Sequence, residues 1–238
     1  MCGRFALAID GDGLLRSYVA TAADRRAGEW EPVYSIAPRT LAPVVREYLD
    51  DEGELHRTLE LARWGLAPSW AKEKGPRPIN ARLETASTNG MFRGSFTSSR
   101  AAVPMTGYYE WVEVEDGKDP YFVHHPVGAL LHAAGLTAAR KADDGESWDI
   151  SFTIITREAR DAGGEVHDRM PVFLTEDAVA DWIAPSKLDP SGKDHMLGML
   201  DDVSTTVAGQ LRTVRVDRRV NNIRTLTRTD PSLIAPIV

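Results

Sequence analysis

Cysteine is nearly absent from this chain of 238 residues, which contains Cys2 alone. A single cysteine excludes an intramolecular disulfide and any metal site built from several cysteines, and it fits a reducing compartment. Long apolar runs are also absent, since no stretch approaches 18 apolar residues and no apolar segment follows the N-terminus. We therefore expect a cytoplasmic protein without a membrane span or a secretion signal.

Basic residues are in the minority, with 28 Lys and Arg against 35 Asp and Glu and a formal net charge of −7. This balance argues against a protein that binds polyanions non-specifically, but it does not exclude a local basic cleft. The arginines are unevenly spread, and several crowd the last stretch: Arg215, Arg218, Arg219, Arg224 and Arg228.

The chain also lacks an internal repeat, a low-complexity tract, a Walker loop, a G-x-G-x-x-G motif and an H-E-x-x-H motif. These absences remove the usual signatures of nucleotide, dinucleotide and zinc-protease sites. We therefore expect neither a cofactor nor a metal.

What is present is an ordinary globular composition, 42% hydrophobic and 26% charged. Many short strands and few helices occur without regular alternation, which favours one α+β domain over residues 2–238, built around a curved, mostly antiparallel, barrel-like sheet with short peripheral helices. The expected strands cover residues 43–48, 55–61, 101–105, 107–115, 120–125, 129–138, 150–156 and 211–216.

The expected helices cover residues 13–20, 84–96, 175–183 and 192–203. Asp12 is the expected N-cap of the first helix and the Thr175 hydroxyl that of the third, while Gly90 weakens the second. Residues 21–31 are expected to be loop.

Cys2 stands where removal of Met1 would leave it as the N-terminal residue, and a small second side chain favours that removal. The product is a 1,2-aminothiol whose amine has a pKa of about 7.7–8.0 and whose thiol has one of about 8.5, so both are partly nucleophilic near neutrality. An aldehyde can condense with the amine to an imine, and the thiol can then close a thiazolidine ring. The alternative is an ordinary small buried residue. Arg4 adds a permanent cation that suits an anionic substrate.

Glu110 and His167 are candidate proton-transfer groups. Alternation in the strand puts Glu110 on the face of Tyr108 and Val112, where a carboxylate needs a partner or has a raised pKa. It is either a buried ion-pair member or a general acid or base. His167 lies in a turn-rich loop over residues 163–171. It is either an ordinary exposed histidine or a catalytic one, and the neighbouring Asp168 can influence its charge.

The segment Trp64-Gly65-Leu66-Ala67-Pro68-Ser69-Trp70 contains two tryptophans. One interpretation is a packed loop over the core. The other is an aromatic platform for a nucleobase, for which stacking contributes about 1–3 kcal/mol per base. The residues themselves favour packing.

Six motifs occur in order between residue 1 and about residue 174: MCGRF, WGLAPSW, PINARLET, the MFR that ends at Arg93, GYYEW and HDRMP. In this order they closely resemble the SRAP family, the SOS-response-associated peptidases that are also described as abasic-site processing proteins. The resemblance implies a covalent sensor of abasic sites in single-stranded DNA, associated with the nucleoid when on DNA. It also implies a monomer that works beside replication-fork proteins.

The resemblance assigns roles by motif position. Cys2 is the implied nucleophile, Asn80 the residue that holds the α-amine and sugar, Glu110 the acid/base and His167 the proton shuttle. The implied contacts to DNA are Arg4, Arg82, Trp70 and Thr156. Where some family members have a second tryptophan, this chain has Ala71.

Two other functions stay open from the sequence. Class II glutamine amidotransferases also expose an N-terminal cysteine, but they carry a second domain for which this chain has no room. A non-covalent single-strand binding module is the other alternative, and the net charge of −7 counts against it. The peptidase activity in the family name is interpreted here as autoproteolytic removal of Met1.

Overall fold

The computed structural model describes residues 2–72, 74–142, 145–160 and 166–237. Its strands are β1 (Phe5–Leu7), β2 (Thr21–Ala22), β3 (Val33–Ile36), β4 (Leu41–Leu49), β5 (Leu55–Trp64), β6 (Asn80–Arg82), β7 (Arg100–Met105), β8 (Gly107–Val114), β9 (Gly117–His124), β10 (Leu131–Lys141), β11 (Trp148–Glu158), β12 (Arg169–Pro171), β13 (Phe173–Leu174) and β14 (Arg212–Arg215). Its α-helices are α1 (Gly11–Tyr18), α2 (Arg25–Gly28), α3 (Leu83–Ala86), α4 (Arg93–Ser98), α5 (Glu176–Ile183) and α6 (Pro190–Ala208).

A closed five-stranded barrel forms the centre of the fold. Strands β5, β4, β7, β10 and β11 follow one another in antiparallel pairs. The ring closes where β11 pairs with β5 in parallel, with Ser151 opposite Arg63 and Phe152 opposite Trp64. Closure removes the free strand edges that an open sheet would expose. The expected single α+β domain around a curved, mostly antiparallel sheet is confirmed.

A second, antiparallel sheet in the order β14-β9-β8-β1-β3 packs against the barrel. Phe5 and Tyr108 on one face belong to the main core, where the Phe5 ring meets Trp64 at 5.2 Å between ring centroids. Tyr109 and Phe122 on the other face pack with Val220 of the C-terminal segment in a smaller cluster. The N-terminal strand is thus fixed between two apolar layers.

The C-terminal half of β11 has a short strand on each side. On one side β6 runs parallel to it, with Asn80 opposite Ile154, and on the other β12 runs antiparallel. Thr156 therefore lies between Arg82 and Pro171. Residues that are far apart in the chain meet along this part of β11.

The expected Asp12 cap is wrong. Asp10 is the N-cap of α1, and its Oδ1 accepts a hydrogen bond from the Gly13 nitrogen at 2.7 Å. The helix starts earlier because the Gly11 nitrogen donates to the Trp30 carbonyl at 2.8 Å, which fixes the first turn. Asp12 then stands within that turn, where its negative charge favours the helix dipole.

The single helix expected over residues 84–96 is also wrong, since α3 and α4 are separate. The Asn89 side chain accepts from the Met91 nitrogen at 2.9 Å, a local turn that competes with helical hydrogen bonding. Thr175 is at the N-cap of α5 as expected, but its side chain makes no capping hydrogen bond. Residues 21–31 are not all loop, since they contain β2 and α2.

Candidate active site

Cys2 is held beside Glu110 by the pairing of β1 with β8. Phe5 stands opposite Tyr108, and the Tyr109 nitrogen donates to the Arg4 carbonyl at 2.9 Å. Continued by two residues, this register brings the segment that follows Cys2 alongside Glu110. Cys2 itself is fully buried.

Asn80 connects β6 to the N-terminal segment. Its Nδ2 donates to the Cys2 carbonyl oxygen at 2.9 Å, across 78 positions of sequence. Its Oδ1 is buried, and no hydrogen-bond partner for it occurs among the described residues. Buried acceptors are nearly always satisfied, so this oxygen is well suited to a donor supplied by a ligand or by a change at Cys2.

Glu110 is buried on the same face of β8 as Tyr108, as the alternation predicts. Burial raises the pKa of the Cys2 thiol, and the negative charge of Glu110 raises that pKa further. The thiol is therefore protonated near neutral pH in this environment. It needs a neighbouring base before it can act as a nucleophile.

His167 is one-third exposed and precedes β12. Partial burial lowers the pKa of its imidazole, and the positive charge of the chain's amino terminus lowers that pKa further. Its Nδ1 accepts from the Arg169 nitrogen at 2.9 Å, while an Asp168 carboxylate oxygen also lies 2.9 Å from Nδ1. The first contact requires the neutral ring and the second a proton on Nδ1, so the two together suit a group that gains and loses a proton. Residues 163–165 of the loop predicted around His167 lie outside the described residues.

Arg169 and Glu84 belong to the site but were not among the residues predicted for it. The Arg169 guanidinium pairs with both carboxylate oxygens of Glu84 at 2.7 and 3.1 Å, and it donates to the Thr156 carbonyl at 2.6 Å. One side chain thus joins α3, β11 and β12, the elements next to Asn80 and His167. Glu84 lies in the PINARLET motif and Arg169 in the HDRMP motif. Membership of these motifs is the only signal in the sequence that could have identified them.

The residues expected to contact DNA occupy different environments. Arg82 is exposed beside the cluster, whereas Thr156 is fully buried, and its Oγ1 has no hydrogen-bond partner among the described residues. Arg4 is 8% exposed: its Nη1 donates to Ser35 Oγ at 3.0 Å and to the Val220 carbonyl at 3.1 Å. The Arg4 guanidinium also lies 5.7 Å from the centre of the Trp111 ring.

The two tryptophans of the WGLAPSW segment differ. Trp64 is fully buried in the core, whereas Trp70 is 65% exposed. Trp70 lines an open cavity of about 430 Å³ together with Pro68 and Arg93. The packing interpretation therefore holds for Trp64, whereas the ring of Trp70 is accessible for stacking. Among the described residues, no hydrogen bond or ring contact joins Trp70 to Cys2, Asn80 or Glu110.

Three of the motifs that suggested the SRAP resemblance thus come together, since Cys2 of MCGRF is buried against Asn80 of PINARLET and Glu110 of GYYEW. A family model described as SOS response associated peptidase (SRAP) matches residues 1–223. The chain belongs to the SRAP family. The match takes in every residue of the candidate site.

Members of the family in other organisms are similar over most of their length. YoqW of Bacillus subtilis is 32% identical over 205 residues, covering 84% of this chain and 88% of its own. YedK of Escherichia coli is 31% identical and covers 82% and 83%, and HMCES of Xenopus tropicalis is 28% identical and covers 77% and 66%. All three are named abasic site processing proteins.

Solved structures share the fold of this SRAP chain. A protein from Bacteroides thetaiotaomicron superposes with a TM-score of 0.78 over 100% of both chains at 18% identity. A phage-related protein from Bordetella bronchiseptica superposes with a TM-score of 0.67 at 25% identity, covering 91% of this chain and 95% of its own.

The described residues contain neither a cluster suited to a metal ion nor a membrane-spanning helix. Within those ranges, no group of three or more His, Cys, Asp and Glu side chains is arranged to hold a metal ion. Likewise, none of the described helices combines the length and the apolar character needed to cross a membrane.

Proposed function

We propose that this protein processes abasic sites in single-stranded DNA through a covalent thiazolidine between Cys2 and the ring-opened deoxyribose. The observation that carries the proposal is the burial of Cys2 between an Asn80 hydrogen bond and the charge of Glu110. The names of the SRAP relatives support the choice of substrate.

The first step is hydrolysis of the Met1–Cys2 peptide bond, which releases methionine and converts the amide nitrogen of Cys2 into a free amine. Only then does the residue carry amine and thiol together. Asn80 already binds the Cys2 carbonyl, so it can orient the new amine, and its buried Oδ1 can accept one of the amine hydrogens.

The sugar must open before it reacts. Opening the hemiacetal moves a proton from the hydroxyl on C1′ to the ring oxygen and leaves an aldehyde at C1′. His167 is a suitable group for this transfer because its lowered pKa keeps the imidazole neutral near pH 7. With the ring proton on Nδ1 and facing Asp168, it can accept the hydroxyl proton at Nε2 and return a proton to the ring oxygen.

The amine of Cys2 then attacks C1′, the carbinolamine loses water, and an imine forms. The thiol sulfur adds to C1′ of the protonated imine, whose nitrogen keeps its hydrogen, so that one water is lost over the whole reaction. Glu110 is the carboxyl group next to the thiol and can protonate the departing hydroxyl and then accept the thiol proton. The enzyme is thus lyase- or hydrolase-like in its chemistry, and its product is a protein–DNA adduct.

Single-stranded DNA fits this chemistry better than a duplex does. An abasic sugar has no base to remove from a stack, and a flexible strand can bend its backbone towards a buried residue. The exposed Arg82 is suited to bind a phosphate beside the lesion. Arg4, whose guanidinium is hydrogen-bonded to Ser35, is suited to add positive potential around that phosphate.

Intact mass before and after mixing with abasic single-stranded DNA tests the proposal. The protein should have the mass of the chain without Met1, and its adduct should weigh the sum of protein and DNA less one water. Cys2→Ala and a form with extra residues ahead of Cys2 should both lose this adduct, because each lacks the aminothiol. An undiminished adduct from the extended form would contradict the proposal.

A further inference from the structure

Arginines converge on a cavity of about 300 Å³ at the N-terminal end of β11. We call this the arginine cleft, and the basic residues that line it are Arg26, Arg39, Arg63, Arg77 and Arg140. Its remaining wall includes Trp148 and Ser151 of β11. In a chain with a net charge of −7, this is a strong local concentration of positive charge.

Three of the five cleft arginines lack an ion-pair partner in the part of the chain that the structure describes. Among the described residues, no carboxylate forms an ion pair with Arg39, Arg63 or Arg140. Arg26 pairs with Asp24 at 3.1 Å, and Asp149 is the acidic residue in the lining. Grouping like charges costs free energy, which a bound anion would recover.

Arg39 is held in an unusual conformation. Its φ is +71°, a left-handed value that bulky side chains rarely adopt and that costs about 1–3 kcal/mol. The Arg39 nitrogen donates to the Trp64 carbonyl at 2.8 Å, and Arg63 Nη1 donates to the Arg39 carbonyl at 2.9 Å. These two hydrogen bonds fix the backbone of Arg39 and the guanidinium of Arg63.

A second cavity of about 600 Å³ continues the cleft, and the two share Arg26, Leu61, Trp148 and Ile150. We call it the aromatic groove, because Trp148 and Tyr48 line it with 58% and 42% of their surface exposed. Its acids are neutralised, since Glu60 pairs with Arg46 and Asp24 with Arg26. Charge at one end and exposed rings at the other fit an extended polyanion with planar groups better than they fit a small ion.

The cleft and the candidate active site share β11. Ser151 lines the cleft, and Thr156 stands beside Arg82 near the cluster around Cys2. Five residues of strand span roughly 17 Å, which corresponds to about five nucleotides at the rise of about 3.4 Å per nucleotide in one strand of B-DNA.

We propose that the arginine cleft and the aromatic groove bind single-stranded DNA about five nucleotides from the abasic site, with the arginines on phosphates and the rings against bases. This inference rests on the proposed function, since it extends the same DNA along the protein. The cleft anchors the strand on one side of the lesion, so non-covalent affinity increases with strand length.

Undamaged oligonucleotides of about 4 and about 20 nucleotides, shorter and longer than the span from site to cleft, test this directly. The decisive variant combines Arg39→Asn, Arg63→Gln and Arg140→Gln. Asparagine tolerates the left-handed conformation, so the first change removes the cation without adding strain. The long strand should bind the unaltered protein at least about tenfold more tightly than the short one, and the variant should bind both alike. Its log–log salt slope should fall by about two units, at about 0.7 per phosphate contact.

A matched control changes the same net charge elsewhere, with Arg16→Gln, Lys118→Gln and Lys187→Gln, all exposed and none lining the cleft. It should keep the length dependence. The inference is overturned if the cleft variant binds the long strand as the unaltered protein does, or if the control loses as much affinity. Thermal unfolding of both variants verifies that each is folded.

Adduct formation on a short abasic strand separates this inference from the proposed function. Formation of this short-strand adduct depends on Cys2 and does not need the arginine cleft. An unaltered protein that never forms the adduct contradicts the proposed function, whereas binding of undamaged strands still reports on the cleft. A cleft variant that forms the short-strand adduct normally but has lost length dependence supports both.

Discussion

Glu110 occupies a buried position in β8 that an apolar residue would fill at lower cost, because a buried carboxylate needs compensation. Its negative charge raises the pKa of the Cys2 thiol, so Glu110 is close enough to that thiol to influence its reaction. A general acid or base would need this burial and this influence on the thiol. A Glu110 that only belongs to a buried ion pair would show the same two features.

Glu110→Gln separates these two roles. We expect it to slow adduct formation by about 10²–10⁴-fold, the usual contribution of a general acid or base, because glutamine cannot exchange a proton. Single-turnover adduct formation on abasic DNA measures the rate, and binding of an undamaged strand is expected to stay nearly unchanged. A lower melting temperature with an unchanged rate would assign Glu110 to structure alone.

His132 is a buried residue away from the proposed chemistry. The Tyr18 hydroxyl and the Nδ1 of His132 share a hydrogen bond of 2.5 Å, and burial lowers the pKa of His132 to about 4. The unfolded chain binds this proton near pH 6.5, about 2.5 units higher. Between these values the unfolded state holds more protons than the folded state, so stability falls as the pH is lowered.

We expect this group to remove about 3 kcal/mol of folding free energy between pH 6.5 and pH 4. Denaturant unfolding at several pH values measures the effect. His132→Gln keeps a hydrogen-bonding group for the Tyr18 hydroxyl but cannot titrate, so the stability of this variant should depend less on pH in this range. Parallel pH profiles for both proteins would mean that His132 is not the group responsible.

At the scale of elements, the ion pair between Glu84 and Arg169 links the short strands on either side of β11. The Arg169 hydrogen bonds hold the pKa of Glu84 below its usual range, so the pair persists in mildly acidic solution. The Arg169 side chain is mostly buried while Glu84 is half exposed, so the free energy of the pair is modest. We expect the pair to matter instead for the placement of Asn80 relative to His167.

Glu84→Gln should therefore slow adduct formation by about tenfold, on the order of one kcal/mol in the barrier, and change unfolding free energy by less than about 1 kcal/mol. The acid limb of the pH–rate profile should also shift, because the backbone of Arg169 contacts the His167 ring. Glu113→Gln, which breaks the exposed pair with Lys118, is the matched control and should alter neither quantity. Equal slowing in both variants would contradict a positioning role.

At the scale of the whole molecule, the barrel depends on the parallel contact between β5 and β11. Gly65 directly follows β5, and its nitrogen donates to the Phe152 carbonyl at 2.8 Å. Its φ is +132°, and a Cβ there would approach Arg77 at 3.3 Å. Glycine is required at this point because other residues cannot adopt this conformation without strain.

Gly65→Ala should destabilise the fold by about 1–3 kcal/mol, which lowers Tm by about 2–4 °C per kcal/mol in a chain of this size. Calorimetry measures the shift. Gly53→Ala offers a comparison, since its φ is also positive, at +85°, but nothing lies within 4 Å of its Cβ position. The loss at Gly65 should be the larger of the two, and equal losses would mean that barrel closure does not depend on this contact.

Local pattern was enough to predict much of the fold. Alternation located β8 and the buried face that carries Glu110, and the strands expected over residues 43–48 and 55–61 correspond to β4 and β5. The errors were local as well. Asp10, Asn89 and Asp24 bond backbone groups through their side chains, and such competing hydrogen bonds shift or interrupt helices in ways that periodicity does not reveal.

The sequence by itself determined the candidate residues and the chemistry open to them, because a cysteine after Met1, a carboxylate on an apolar strand face and ordered family motifs are properties of the chain. Only the tertiary structure decided which residues meet. The parallel closure of the barrel, the contact of Asn80 with Cys2 and the arginine cleft each join segments far apart in sequence. Such contacts form because burying one shared core brings those segments together, and no local pattern records that outcome.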